Sequence, residues 1–517
     1  MSKTGLTRAE RRRKQRELKE EQKKKGVNYP PVTTLPNRKS KLKTVEEEKS
    51  AAQTETEETL KFYGRLLPGL LKKLSRIPDP RQPRKIKHKI TVMMLYGILM
   101  FVFQINSRRG TNRSMTTPQL LANLQAVFPE LEEMPHQDTL CRLLKDMEVD
   151  QIETLYLELL KKLIRKKTFK NMLHQGQYLV AIDGTQKYVM DQCWDERYLR
   201  REVKGKSGEY QYYAYVLESV LIFPNGMVLP LMSEFLENSL ELELIEDEEE
   251  WKQDCELNAF YRLAKRLKKE FPRLSVTLLL DGLYANGPVM ELCYKNKWNF
   301  MIVLKDKSLP SVWQEVKGLM RLDTQGENCH KRTWQGRWQR FDWVNQITYE
   351  YGLGNCKKRL TIHVVTCQEN WEEIDKDGCR VTKTARHAWI TSEPINRREV
   401  HKHCNLAARK RWLHENNILK EKHQGYQYEH IFSYDYNVMR GYHYLMHIGR
   451  MLNEMAVHAV GLNEYVKEDG IQGFLKNFKD NMARRELDTE RLRKLLDSPG
   501  QLRLVHEDIW SMTQPAA

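Results

Sequence analysis

Between Tyr178 and Lys305 the chain carries two short apolar runs that each end in an aspartate, YLVAID (Tyr178–Asp183) and SVTLLLDG (Ser275–Gly282). Apolar runs of this length predict buried strands. The stretches around them are equally patterned. YYAYVLESVLIF (Tyr212–Phe223) and MVLPLMSEF (Met227–Phe235) flank Pro224-Asn225-Gly226, which predicts a hairpin. CELNAFYRLAKRLKKEF (Cys255–Phe271) and PVMELCYKNK (Pro288–Lys297) read as helices, and WNFMIVLK (Trp298–Lys305) as a further strand. Strand, hairpin, helix, strand, helix, strand is an order that demands a mixed sheet covered by helices.

Helical periodicity dominates the stretch before this core. LKFYGRLLPGLLKKL (Leu60–Leu74), TPQLLANLQAVF (Thr117–Phe128) and ETLYLELLKKLIRKK (Glu153–Lys167) repeat apolar residues every three or four positions. ITVMMLYGILMFVF (Ile90–Phe103) is apolar throughout, but at about 14 residues it is short of the roughly 20 that a membrane span needs, so a buried helix is expected. Basic loops flank it, DPRQPRKIKHK (Asp79–Lys89) and SRRGTNRSM (Ser107–Met115), as in a DNA-contacting module or as ordinary solvated loops. Residues 1–60 read as a basic, disordered tail, with Arg11–Lys25 as a transient helix and Pro30, Pro31 and Pro36 as breakers.

After Lys305 the pattern turns to strands. TWQGRWQRFDWV (Thr333–Val344), QITYEY (Gln346–Tyr351) and KRLTIHVVT (Lys358–Thr366) follow a helix at Ser311–Met320. Trp334, Trp338 and Trp343 alternate with Arg332, Arg337 and Arg340, a pattern that suits either stacking on unpaired bases or the core of the insertion. ARHAWITS (Ala385–Ser392) is one more strand, and a long helix is expected from about Asn396 to Gln424. The segments are therefore a tail (1–60), a helical DNA-binding domain (61–172), a first core part (173–305), a β-rich insertion (306–385), a second core part (386–465) and a helical C-terminal tail (466–517).

Charge narrows the partner. Lys plus Arg number 86 against 69 Asp plus Glu, a net charge of +17, which points to a polyanion such as nucleic acid. Nine cysteines without a CxxC pair argue against a disulfide framework, and the charged N-terminus against a signal peptide. His401, His403 and Cys404 lack a partner pair at zinc-finger spacing and read as polar residues of a helix. Lys204–Tyr210 contains GKS without the earlier glycine of a phosphate loop.

Asp183 and Asp281 stand at strand ends, where open sheets place ligand sites, and each is followed by a glycine (Gly184, Gly282) that frees the backbone to turn away. Two aspartates on neighbouring strands and a third carboxylate from a helix supply the oxygen ligands that paired magnesium ions require. In KRWLHENNILKEKHQ (Lys410–Gln424), Arg411, Glu415 and Lys422 are spaced by four and seven and would share one helical face, as a phosphate-gripping face around a metal ligand or as a plain ion-pair stripe. Glu421, Glu429 and Asp435 are the nearest alternatives for the third acid.

These residues resemble the DDE transposases of bacterial insertion sequences. Arg411, Glu415 and Lys422 fit three of the four positions of the Tyr-x-x-Arg-x-x-x-Glu-x-x-x-x-x-x-Lys signature, with Ala408 in place of the Tyr. AIDGTQ, LLLDGLYAN and RWLHENN resemble the surroundings of the three acids, and DPRQPRKIKHK before an apolar helix resembles the N-terminal region of one branch. The resemblance implies an RNase H-like mixed sheet flanked by helices, with a β-rich insertion and an N-terminal helical domain. It implies Asp183, Asp281 and Glu415 as catalytic metal ligands for two Mg2+ ions, with Mn2+ as a substitute. It implies Arg411, Lys422 and Trp338 as DNA contacts. The expected activity is cleavage at the ends of an element and strand transfer into target DNA. The expected form is a DNA-bound dimer in a bacterial cytoplasm, on the nucleoid, with no membrane partner. Another RNase H-like nuclease, or a non-catalytic DNA-binding protein derived from a transposase, are the competing readings.

Overall fold

The apolar runs become strands because neighbouring backbones satisfy their buried peptide groups. In the computed structural model, which describes residues 6–29, 35, 39–238, 255–352, 354, 357–498 and 500–507, they join one mixed sheet of ten strands. These are β1 (Tyr178–Met190), β2 (Leu199–Glu202), β3 (Tyr210–Ile222), β4 (Val228–Leu236), β5 (Val276–Leu280), β6 (Asn299–Val303), β7 (Cys329–Trp334), β8 (Arg337–Tyr351), β9 (Lys358–Ile374) and β10 (Arg380–Thr391). The order is β2-β3-β1-β5-β6-β10-β9-β8-β7, with β4 paired to β3. β1, β5 and β6 run parallel in sequence along the sheet, while β3 and β4 form the expected antiparallel hairpin, turning at Gly226 with φ +86°.

Fifteen α-helices accompany the sheet among the described residues. Before the first strand come α1 (Arg8–Lys24), α2 (Val45–Gly64), α3 (Leu67–Leu74), α4 (Ile90–Val102), α5 (Arg108–Met115), α6 (Pro118–Val127), α7 (Gln137–Asp146) and α8 (Asp150–Arg165). Between and after the strands lie α9 (Glu256–Glu270), α10 (Gly287–Asn296), α11 (Pro310–Leu322), α12 (Trp412–His423), α13 (Tyr436–Val457), α14 (Asn463–Arg484) and α15 (Thr489–Asp497). No helix among the described residues is long and apolar enough to cross a membrane.

The chain divides into two interleaved units. Unit 1 holds residues 1–33, 177–181 and 275–411, and unit 2 holds 34–176, 182–274 and 412–517. In unit 1, β10 pairs antiparallel with β6, and β9, β8 and β7 continue the same sheet. The N-terminal stretch, expected as a solvated tail, contains α1 and α2. Helix α1 has a capping box at Thr7 and Glu10 and docks on β9 through buried Leu18. Arg11 Nε donates to Ile374 O at 3.0 Å, and Gln22 Nε2 to Glu372 Oε2 at 2.8 Å. These contacts with β9 order a segment whose composition alone reads as unfolded. Pro30, Pro31 and Pro36 lie outside the described residues.

Unit 2 is built around α4 and α13. Every residue of α4 except Thr91 is buried, as its unbroken apolar run predicts. The two helices pack closely at glycines: a Cβ at Gly97 would lie 2.7 Å from Leu445 Cδ1, and one at Gly449 2.7 Å from Phe101 Cβ. Asp435 caps α13, its side chain accepting from Val438 N at 3.1 Å.

Candidate active site

Asp183 sits on β1 beyond the segment that pairs with β5. That pairing runs from Tyr178↔Val276 to Ala181↔Leu279, so Asp183 and Asp281 each follow two residues after the same registered pair of adjacent parallel strands. Asp183 does not end its strand, however. β1 continues to Met190, and Gly184 stays within it. The glycine serves proximity instead: a Cβ there would lie 2.6 Å from both the Tyr215 hydroxyl and Glu256 Oε2. Tyr215 OH donates to Glu256 Oε2 at 3.0 Å. Burial, then the Glu256 carboxylate and the charge of Asp183, push the Tyr215 hydroxyl above its ordinary pKa, which keeps it a neutral donor. The Asp183 carboxylate is half-buried, with Oδ1 accepting from Gly184 N at 3.1 Å.

Asp281, in unit 1, ends β5 as expected. It caps a 3-10 turn over Gly282–Tyr284, its Oδ1 accepting from Leu283 N at 2.7 Å. Oδ2 lies 3.5 Å from Lys305 Nζ, whose stem crosses Gly282; a Cβ on that glycine would meet Lys305 Cε at 2.7 Å. The Lys305 side chain is 61% exposed. Such a pair contributes about 0–1 kcal/mol, so the ammonium is a displaceable counter-charge.

Glu415, in unit 2, stands in the first turn of α12 and is half-buried. Its neighbour His414 reaches β3, with Nε2 3.2 Å from Glu218 O. The long helix expected from Asn396 is broken. Lys402–Ala407 is a π turn and Ala408–Arg411 a 3-10 turn before α12 begins. Within unit 1, Asn405 Nδ2 donates to Gln339 Oε1 at 2.7 Å and Arg409 Nη2 to Glu369 Oε1 at 2.6 Å, and these ties hold the irregular turns. Arg411 is the last residue of the 3-10 turn and Glu415 lies in the first turn of α12. Arg411 is also 9% exposed.

Lys422 does lie on α12 with Glu415. Its Nζ pairs with Glu429 at 2.9 Å and sits 3.5 Å from Gln186 O, with 17% of the side chain exposed. Of the alternative acids, Glu421 is fully buried against Asn417, Glu429 pairs with Lys422, and Asp435 is the cap of α13. The three tryptophans that alternate with arginines, all in unit 1, divide. Trp343 is 2% exposed and part of the core, Trp334 is half-buried beside His401, and Trp338 is 55% exposed on β8.

Asp183, Asp281 and Glu415 are oxygen donors, half-buried yet reachable, and this donor chemistry suits a hard cation such as Mg2+. Sequence reading missed the Tyr215–Glu256 pair beside Gly184. Only the glycine after Asp183 hints at it, since close approach is one reason for a glycine in a strand.

Residues 71–160 match the DDE_Tnp_1-associated family, a domain that occurs in DDE-type transposases. That span covers α4 to α7 and most of α8, in unit 2. No curated protein matches the chain.

Proposed function

We propose that the chain is a DDE transposase that cleaves DNA at the ends of an element and joins the freed 3′-hydroxyl to target DNA. The observation that carries this reading is the register of β1 and β5, which follows one parallel pair with an aspartate on each strand. The strand order β4-β3-β1-β5-β6 supports an RNase H-like core, because it puts an antiparallel hairpin beside three strands of which the inner two bear the acids. The transposase-associated family match over residues 71–160 supports the same reading.

In this reading Asp183, Asp281 and Glu415 hold Mg2+. Bound there, the ions supply Lewis-acid stabilisation of the attacking and leaving oxygens of a phosphodiester. The chain's own residues do the rest. Tyr215 and Glu256 fix the backbone beside Asp183, and the turn at Gly282 fixes Asp281. Lys305 balances the Asp281 charge until metal and DNA arrive. Lys422 exchanges Glu429 for a phosphate, Arg411 adds a second cation, and Trp338 offers a π face to an unpaired base. The protein acts as a dimer on two DNA ends.

The test is purified full-length chain with linear DNA bearing the flanking sequences of its own gene, with and without Mg2+. Nicks that leave 3′-hydroxyl ends, followed by joined products, are expected only with the metal. DNA binding with no cleavage in either Mg2+ or Mn2+ overturns the proposal in favour of a non-catalytic DNA-binding protein.

A further inference from the structure

Unit 2 holds a groove whose chemistry the catalytic reading leaves unused. It lies between the end of α2, the start of α3, the C-terminal half of α8, the start of α14 and residues 500–507, and its volume is about 1080 Å3. That matches the larger small-molecule sites, which run to about 1,000 Å3. The wall at 500–507 is fastened to the end of α13. Leu504 bridges Ala459, Val460 N donates to Arg503 O at 3.0 Å, and Val505 N donates to His458 O at 2.8 Å.

Five exposed cations line the groove, Arg65, Lys162, Lys166, Lys167 and Arg503, against one acid among the described lining residues, Glu507. Among the described residues none of the five is in an ion pair. Arg65 Nη1 donates to Gln501 O at 3.3 Å, and the guanidinium crosses Gly500, where a Cβ would lie 2.1 Å from Arg65 Nη2. Cations at the end of a helix offset its dipole, which accounts for Lys162 and Lys166 on α8 but not for Arg503 or for the rest of the lining.

That rest is apolar apart from one amide. Leu66, Leu163, Leu504 and Val505 line the groove, each at most 8% exposed. Asn463, the first residue of α14, lines it at 6% exposed, and its Oδ1 is buried with no hydrogen-bond partner. A buried acceptor without a donor is destabilising, so such an atom calls for a ligand that carries one. A phosphate oxygen is itself an acceptor and cannot meet it. The edge of a nucleobase carries N–H donors beside acceptors and satisfies the amide in either orientation.

We propose that this groove binds a nucleoside triphosphate. The five cations hold the phosphates, the leucines and Val505 pack on the base, and Asn463 reads its edge. Duplex DNA is the competing occupant. Its backbone would use the cations but would leave the buried amide and the apolar side chains unmatched.

Full-length protein in EDTA is titrated by calorimetry with ATP, GTP, tripolyphosphate and a short DNA duplex, each alone. EDTA removes metal, so the outcome is independent of cleavage and of the transposase reading. Saturable binding of at least one nucleotide, at one site and with a Kd below about 1 mM, is expected. Tripolyphosphate should bind about tenfold more weakly than that nucleotide, or weaker still. Lys162→Gln/Lys166→Gln/Lys167→Gln, which alters exposed side chains alone, should weaken the nucleotide by about tenfold. Asn463→Leu should remove the advantage of the nucleotide over tripolyphosphate; if that variant fails to fold, the lysine variant and the wild-type comparison decide. No saturable nucleotide binding, equal binding of nucleotide and tripolyphosphate by wild type, or nucleotide binding unchanged in the lysine variant each overturns the proposal. Loss of duplex affinity in the lysine variant, with no nucleotide bound by wild type, overturns it in favour of a DNA-backbone contact.

Discussion

The Tyr215 hydroxyl donates to Glu256 Oε2 at 3.0 Å, and the pair occupies the space where a side chain on Gly184 would stand. A residue other than glycine beside Asp183 must push one of them aside. Gly184→Ala is expected to lower thermal stability, by about 1–3 kcal/mol as for other overpacked sites, and to cut DNA cleavage through displacement of Asp183. Gly184→Ala/Tyr215→Ala should recover part of the cleavage. A double variant no better than the single would show that the glycine serves something other than this contact.

Asp183→Asn, Asp281→Asn and Glu415→Gln should each abolish cleavage by about a thousandfold or more, equivalent to roughly 4 kcal/mol of transition-state stabilisation. DNA binding should persist in gel-shift assays with all three. Normal cleavage by Glu415→Gln would remove it as the third acid and with it the central claim about function.

Glu369 on β9 is a pH sensor of folding in unit 1. Burial alone would raise its pKa, but His387, the Gln339 amide and the Arg409 and Arg337 guanidinium groups outweigh burial and hold it at about 2. A carboxylate depressed from an unfolded value near 4.5 stabilises the fold above that value and ceases to do so as pH falls towards 2. The loss over that window is on the order of 3 kcal/mol. Urea midpoints measured from pH 6 to pH 2.5 should drop for wild type. They should start lower and change less for Glu369→Gln, which has no proton to gain.

Helix α1 presents Arg12, Arg16 and Lys24 to solvent while Leu18 and Gln22 face β9. Replacing the three cations with Gln should leave the melting temperature unchanged. The dependence of log K on log salt should flatten by up to about 2.7, at about 0.9 for each lost phosphate contact. An unchanged slope would mean that this face does not touch DNA.

The paired strands, the Pro224-Asn225-Gly226 turn and buried α4 were legible because each follows from local patterning of apolar residues and turn chemistry. Asp281 closes its strand as its sequence suggests. What patterning could not register was set by distant partners. The irregular turns before α12 are tied to Gln339 and Glu369, dozens of residues upstream, where helical spacing could not register them. Helix α13 went unread because its buried face carries His443, His447, Arg450 and Asn453, which look like surface residues until Glu218, Glu421 and Tyr426 are seen to meet them. Tail residues Arg8–Lys24 looked solvated because their partner strand, β9, begins more than 300 positions later.

The close packing of α4 and α13 at Gly97 and Gly449 also has a kinetic side. Roughly 330 residues separate the end of α4 from the start of α13. At ribosomal speeds of about 5–20 residues per second, the nascent chain carries an apolar helix without its partner for on the order of 20–70 seconds. During that interval the α4 surface must be shielded by neighbouring nascent helices or by a chaperone, so the yield of folded protein depends on translation rate and holdase supply.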